Sequence, residues 1–209
     1  MRPRDWLDRL ERHLGEWAVP DPALFLVGMN AVVWALSLLK PGFELRLDLD
    51  PALVLSGQVW RLATFLFIPP AIAPLWMIFW LLLFYAYAQA LENEWGEFRF
   101  CAFYGIGAAA TALVSVALGA GLSNVPLNLS LFLAFADLYP DVELLLFFII
   151  PVKVRWLAWL AWAGVAAQLL FGGWGARIAL GAGLFNYVLF FGPDHWQDLR
   201  QRLERRRRR

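Results

Sequence analysis

The chain has 209 residues, 61% of them hydrophobic and 17% charged, and its mean hydropathy is +0.57. Soluble domains sit nearer half apolar with about a quarter charged, so a water-soluble globule is excluded and a membrane-embedded chain is expected. The formal net charge of +1 hides strong segregation: Arg2, Arg4, Arg9 and Arg12 open the chain and Arg205–Arg209 close it.

Residues 1–22 read as an amphipathic N-terminal segment. Trp6, Leu7, Leu10, Leu14 and Trp17 recur at helical spacing against Arg4, Asp5, Asp8, Arg9, Glu11 and Arg12, the pattern of a helix lying in the headgroup plane. No apolar core precedes a small-residue cleavage site, so the first spanning helix is expected to serve as an uncleaved anchor.

Apolar stretches of about the length a bilayer requires then predict six spanning helices, near 23–39, 74–91, 100–119, 124–139, 154–171 and 176–192. Several are short, which suits a bundle that thins the membrane locally. A long segment, 40–73, separates the first two. It carries Pro41, Pro51, Pro69 and Pro70, with the alternating run ELRLDLD at 44–50. A loop this long is unusual unless it is functional, and one dipping into the outer leaflet must find its backbone partners within the protein. The fold expected is therefore an all-α membrane protein, a six-helix bundle with a large loop between helices one and two.

Residues 193–209 read as a basic amphipathic tail through Trp196, Leu199 and Leu203, whose arginines are each expected to add about 1 kcal/mol of attraction to an anionic leaflet. With both termini inside, 14 lysines and arginines fall on the cytoplasmic side, and Lys40, Arg46, Arg61 and Arg177 face the other. That bias predicts cytoplasmic termini, and a bacterial inner membrane is the expected setting. Cys101 is the only cysteine, which excludes an internal disulfide and disfavours a cysteine-ligated metal. No cofactor, metal or nucleic-acid role is expected.

Two motifs stand out. GQVWRLATFLF at 57–67 places Trp60-Arg61 in the long loop, and LENEWGEFRF at 91–100 places Glu92, Gly96 and Arg99 between helices two and three. After helix four comes LYPDVELLLFFIIPVKVRWL at 138–157. Order, spacing and helix count together resemble the rhomboid-like superfamily of intramembrane serine proteases, inactive rhomboids and derlins, over about residues 24 to 192. The resemblance implies a rhomboid-like membrane domain at 23–192. In it Arg61 satisfies several loop carbonyls through its five-donor fork, as lysine cannot.

The same resemblance shows where catalytic groups should stand. Rhomboid proteases carry a glycine-flanked serine at the start of helix four and a histidine on helix six; serine without such a base is a weak nucleophile. Here GLSNVPLNLSLF at 121–132 offers only Ser123 and Ser130, and alignment of helix six puts Ala179 at the histidine position. His13 lies in the N-terminal segment, and His195 lies 16 residues past Ala179, roughly 24 Å along a straight helix. The positions of the oxyanion-binding histidine and asparagine on helix two hold Trp76 and Trp80, expected to fill the site.

Asn128 and Asn186 are expected to join helices by hydrogen bonds. The small-residue pairs Gly105/Ala109 and Ala179/Gly183 are expected to pack inside the bundle rather than form a dimer. The reading that follows is a rhomboid-like pseudoprotease without a catalytic residue, binding transmembrane protein clients within the lipid bilayer. The alternatives are an active protease with a displaced site built on Ser130, a transporter, and a structural subunit. A transporter needs ionisable residues along a pathway, and the expected helix interiors hold almost none, Asp137 lying near a cytoplasmic end.

Overall fold

The computed structural model describes residues 5–146 and 150–207. Arg2, Arg4, Phe147, Phe148, Ile149, Arg208 and Arg209 lie outside the described residues, and so do the side chains of Trp17, Leu199 and Leu203.

The chain opens with α1 (Asp5–Leu14) and α2 (Pro22–Leu39), then runs through two short helices in the long loop, α3 (Pro51–Leu55) and α4 (Arg61–Thr64). Next come α5 (Pro74–Trp95), α6 (Glu97–Leu118) and α7 (Val125–Leu138). A hairpin of β1 (Glu143–Leu146) and β2 (Ile150–Lys153) leads to α8 (Val154–Phe171), α9 (Trp174–Gly183) and α10 (Phe185–Arg207). Proline opens α2, α3 and α5 and stands second in α7. At those positions an N–H would have no helical partner, so the missing donor costs nothing.

Four helices, α2, α5, α6 and α8, are long and apolar enough to cross a membrane; α9 with α10 makes a fifth crossing if the bent pair counts as one. The helix expected at 124–139 is present as α7, at 14 residues. Helix six, expected as one helix over 176–192, is instead two helices bent by 56°. The bend follows from crowding. A Cβ on Gly183 would stand 2.4 Å from Pro126 Cβ and 2.9 Å from the Leu127 nitrogen, so α9 rides directly on the start of α7. The fully buried Asn186 then restarts the chain: its Oδ1 accepts from the Tyr187 N–H at 2.9 Å, and its Nδ2 donates to the Phe103 carbonyl of α6 at 3.1 Å. Asn186 thus does join helices, as expected.

Three further expectations are corrected. The tail is not a separate element after 192, because α10 runs unbroken through Pro193 to Arg207. The connection after helix four is a two-stranded antiparallel hairpin pairing Glu143 with Lys153 and Leu145 with Pro151, so the fold is not purely helical. Gly105 and Ala109 lie on an exposed face of α6. The close approach on that helix belongs to Gly107, where a Cβ would meet Leu127 Cδ1 at 2.4 Å and Asn186 at 2.8 Å.

The core is aromatic and central. Phe84 of α5, Phe100 and Phe103 of α6, Leu127 and Leu131 of α7, and Phe190 of α10 are all fully buried. By contrast α8 buries only Val154 and Val165 and exposes Trp156, Trp159 and Leu160. Such an apolar periphery suits lipid contact, where apolar exposure carries no penalty.

One end of the bundle explains the Glu92–Gly96–Arg99 motif. Gly96 is the single residue between two 22-residue helices, at φ 82° and ψ 162°, a region essentially restricted to glycine. Its N–H still closes α5 on the Glu92 carbonyl at 2.7 Å, while its own carbonyl accepts from Phe100 of α6 at 3.1 Å. The buried Glu92 carboxylate accepts the Ala23 N–H at 2.8 Å, in the first turn of α2. Asp21 precedes that helix in a left-handed conformation and gives it no side-chain cap. A carboxylate from α5 therefore takes the cap's place, at the positive end of the helix dipole.

Arg99 donates to Asp8 at 2.9 Å and to Glu11 at 3.0 Å, both on α1. Trp6 packs edge-to-face on Phe190 at 5.9 Å, and Leu7 is buried. The N-terminal helix is thus clasped to the bundle rather than only floating in the headgroups, and it leaves Leu10 and Leu14 exposed. The two ion pairs are a third exposed and contribute little alone, about 0.2–1 kcal/mol each; the buried apolar contacts do most of the docking.

These contacts separate two glycines. A Cβ on Gly96 or on Gly105 would meet nothing within 4 Å, so only backbone conformation distinguishes the sites. Gly96→Ala is expected to lower stability by about 1–3 kcal/mol. Gly105→Ala, inside α6, is expected to be neutral or slightly stabilising. Thermal unfolding of both variants in detergent checks the contrast.

Candidate functional site

The long loop is gathered around one buried residue. Arg61, at the start of α4, is only 4% exposed. Its Nη1 donates to the carbonyls of Leu45 at 3.1 Å and Asp48 at 2.9 Å, and its Nη2 to Leu45 at 3.1 Å. Nε donates to Gln58 Oε1 at 2.9 Å, and Nη1 also pairs with the Asp48 carboxylate. All three guanidinium nitrogens are engaged, two of them by loop carbonyls and the third by a loop side chain. Trp60, its neighbour, is 52% exposed. The pair therefore divides into a buried clamp and an outward-facing aromatic ring, and only Arg61 builds the loop.

Other polar residues finish the closure. Asp50 caps α3 through the N–H groups of Ala52 at 2.9 Å and Leu53 at 3.2 Å. Thr64 Oγ1 donates to the Leu47 carbonyl at 2.9 Å. Asn124, buried at the N-cap of α7, spends its side chain on the loop: Nδ2 donates to the carbonyls of Leu66 at 3.0 Å and Ile68 at 2.9 Å. Leu49 pairs with Leu122 in an isolated β-bridge. The loop is thereby fastened to the start of α7, where the resemblance places a nucleophile. Asn124 was missed in the sequence, where an asparagine before a proline-led helix reads simply as a cap.

Ser130 and both histidines are engaged by partners other than one another. Ser130 is fully buried, and its Oγ donates to the Leu127 carbonyl of its own helix at 2.7 Å. Ser123 is exposed beside a cavity of about 320 Å³ under the loop, bordered also by Asp48, Leu49 and Phe65. His13 Nδ1 is 2.8 Å from the Arg9 carbonyl of its own helix. Ala179 is half-buried on α9, and its methyl group has no acid–base chemistry.

The tryptophans do not fill the region as expected. Trp76 is 46% exposed on α5. Trp80 packs on Phe84 at 4.8 Å and forms one wall of an open cleft of about 270 Å³ between α5 and α7. Residues four apart share a helix face, so the two differ in position along α5: Trp76 stands in its first turn and Trp80 one turn further along.

His195 belongs to a cluster that sequence reasoning did not find. The Tyr187 hydroxyl donates to Asp137 Oδ2 at 2.6 Å, and His195 Nε2 lies 3.0 Å from that oxygen and 3.1 Å from the hydroxyl. Tyr187, Phe191 and His195 stack in sequence along one face of α10. The i, i+4, i+8 spacing was visible, but ending helix six before Pro193 hid it. Asp137, Trp162, Tyr187 and His195 border a further cavity of about 390 Å³. Three carboxylates, of Asp21, Glu92 and Glu97, also come within 4.8 Å of one another. Two of them already accept backbone N–H groups, Glu92 from Ala23 and Glu97 from Asp21, so the cluster is accounted for as helix-end capping.

Residues 23–192 match the model of a family described as eukaryotic integral membrane protein (DUF1751), and the chain belongs to that family. No curated protein matches the chain. Membership establishes a multi-pass integral membrane protein. The description is of eukaryotic proteins, so it lends no support to a bacterial inner membrane.

The clamp geometry carries a direct expectation. Arg61→Lys keeps the charge but loses the fork, leaving loop carbonyls without donors. A loss of about 1.5–3 kcal/mol is expected, lowering Tm by roughly 5–10 °C. Arg46→Lys, at an exposed position of the same loop, is expected to leave Tm unchanged in the same assay.

Proposed function

Starting from membership of this membrane family, we propose that the chain is a rhomboid-like pseudoprotease: a six-pass protein without catalytic activity that binds transmembrane segments of other proteins. Six passes are supported by the alternation of the bundle. The start of α2, the end of α5 and the start of α6 meet at Glu92 and Gly96. The ends of α7 and α10 reach that same side through Tyr139, which donates to Glu94, and through His195 and Asp137. We place this end, with both termini, on the cytoplasmic side, following the lysine and arginine bias. The terminal arginines would then face anionic lipid headgroups.

The observation that carries the non-catalytic reading is the commitment of Ser130. A hydroxyl bonded to its own helix has no base to take its proton, and proton transfer needs a base in hydrogen-bond reach. Both imidazoles are occupied elsewhere, His13 on the Arg9 carbonyl and His195 on Asp137 and Tyr187. Client binding is supported by the loop: a rigid, apolar-edged shelf exposing Leu55, Val59, Trp60 and Leu62 beside a bundle containing the short α7. Such a shelf offers a passing helix both contact area and locally thinned lipid.

Two measurements test the reading. A serine-reactive fluorophosphonate is expected to leave the purified protein unlabelled, and labelling abolished by Ser130→Ala would establish a protease instead. A photo-crosslinking amino acid at Trp60 or Leu62 is expected to capture membrane proteins from native membranes. Capture of lipid alone at both positions would contradict client binding.

A further inference from the structure

The cleft between α5 and α7 has a shape and polarity that the client-binding reading does not use. Trp80, Leu83 and Tyr87 form one wall, and Val125, Asn128 and Phe132 the other. Each set follows i, i+3, i+7 spacing, so the walls run in parallel for two helical turns, about 10 Å. None of the residues bordering the cleft is charged. The slot is thus elongated and mostly apolar, between the membrane-crossing α5 and the shorter apolar α7.

Three polar residues border it, Tyr87, Asn124 and Asn128; the Asn124 amide is already spent on the loop, and Asn128 follows it one turn along α7. The Asn128 Oδ1 accepts the Tyr104 hydroxyl of α6 at 2.9 Å. That contact engages the amide oxygen, while the Nδ2 of this half-buried, cleft-bordering residue has no protein acceptor among the described residues. A donor without a partner in hydrocarbon costs several kcal/mol, so the cleft calls for an occupant that brings an acceptor. Asn128 lies in the first turn of α7, beside the loop end of the slot at Pro70 and Asn124. The acceptor is therefore needed near one end, and an apolar chain along the rest.

We propose that this cleft is a lipid site: one acyl chain of a glycerolipid lies between α5 and α7, and its ester carbonyl accepts from the Asn128 amide. A transmembrane helix is too thick, since a helix with side chains is about 10–12 Å across and the cavity holds about 270 Å³. A charged headgroup finds no counter-charge in the walls. An ester carbonyl joined to a flexible chain meets both requirements.

The test uses the full chain in nanodiscs of phosphatidylcholine doped with a phosphatidylcholine that carries a photoactivatable diazirine on its acyl chain. Peptides bearing Leu83 and Phe132 are expected to be labelled well above the lipid-facing Trp159–Leu160 peptide of α8, which reports ordinary boundary lipid. Leu83→Trp, filling the slot, is expected to reduce cleft labelling to the α8 level. Asn128→Leu is expected to reduce it about five-fold, the worth of one hydrogen bond. The α8 labelling should stay constant in both variants, which also shows that each is folded. Cleft labelling no higher than that of α8, or unchanged by both variants, overturns the proposal. Because the client crosslinks are read at Trp60 and Leu62, on the loop, either result can fail without the other.

Discussion

Everything in this bundle is constrained by the need to satisfy non-helical backbone where water is scarce. Between α2 and α5 the chain makes short helices and turns that leave carbonyls bare, and Arg61 gathers them. Three nitrogens of one guanidinium reach Leu45, Asp48 and Gln58 from a position that is nearly fully buried. An arginine can serve there because its fork is planar and its charge is spread over several acceptors. Asn124 extends the same solution to the last turn of the loop by bonding Leu66 and Ile68. The loop is thereby part of the membrane domain, and the start of α7 is locked beneath it.

The opposite end obeys the same rule with different residues. Glu92 replaces a missing cap on α2, and Gly96 lets α5 pass into α6 with no intervening loop that would need partners of its own. Arg99 then ties down α1. The three motif residues thus act as separate devices at one junction: a cap, a backbone reversal and a clasp. Their spacing is set by the helix turn, which brings residue 92 and the chain reversal at 96 to the same end.

Much of this was legible in the sequence. Length and hydropathy located α2, α5, α6 and α8 to within a few residues, and the residues of the two motifs, Trp60-Arg61 and Glu92–Gly96–Arg99, fall in the loop and at the α5–α6 junction. What escaped was whatever depends on contacts between distant elements. The break in helix six arises from the press of Gly183 on α7, and no local residue signals it. The helix expected to stop at 192 instead continues to Arg207 with Pro193 inside it, although a proline there removes one bond of the ladder. That error concealed the face carrying Tyr187 and His195, and with it the network on Asp137. The inward pair on α6 was read one register off, since small residues at 105, 107, 108 and 109 all fit a close approach and only packing selects among them.

The proposed function rests on the loop as a fixed shelf beside a bundle in which Ser130 is bonded to its own helix. Its rigidity is the point most open to measurement. Hydrogen exchange across residues 44–68 reports it directly, comparing the native chain with Arg61→Met in nanodiscs. The account predicts that these amides exchange slowly in the native chain and speed up together in the variant, while those of α5 and α6 stay protected. Fast exchange of the segment in both proteins would contradict it, because the loop would then be free chain rather than part of the fold.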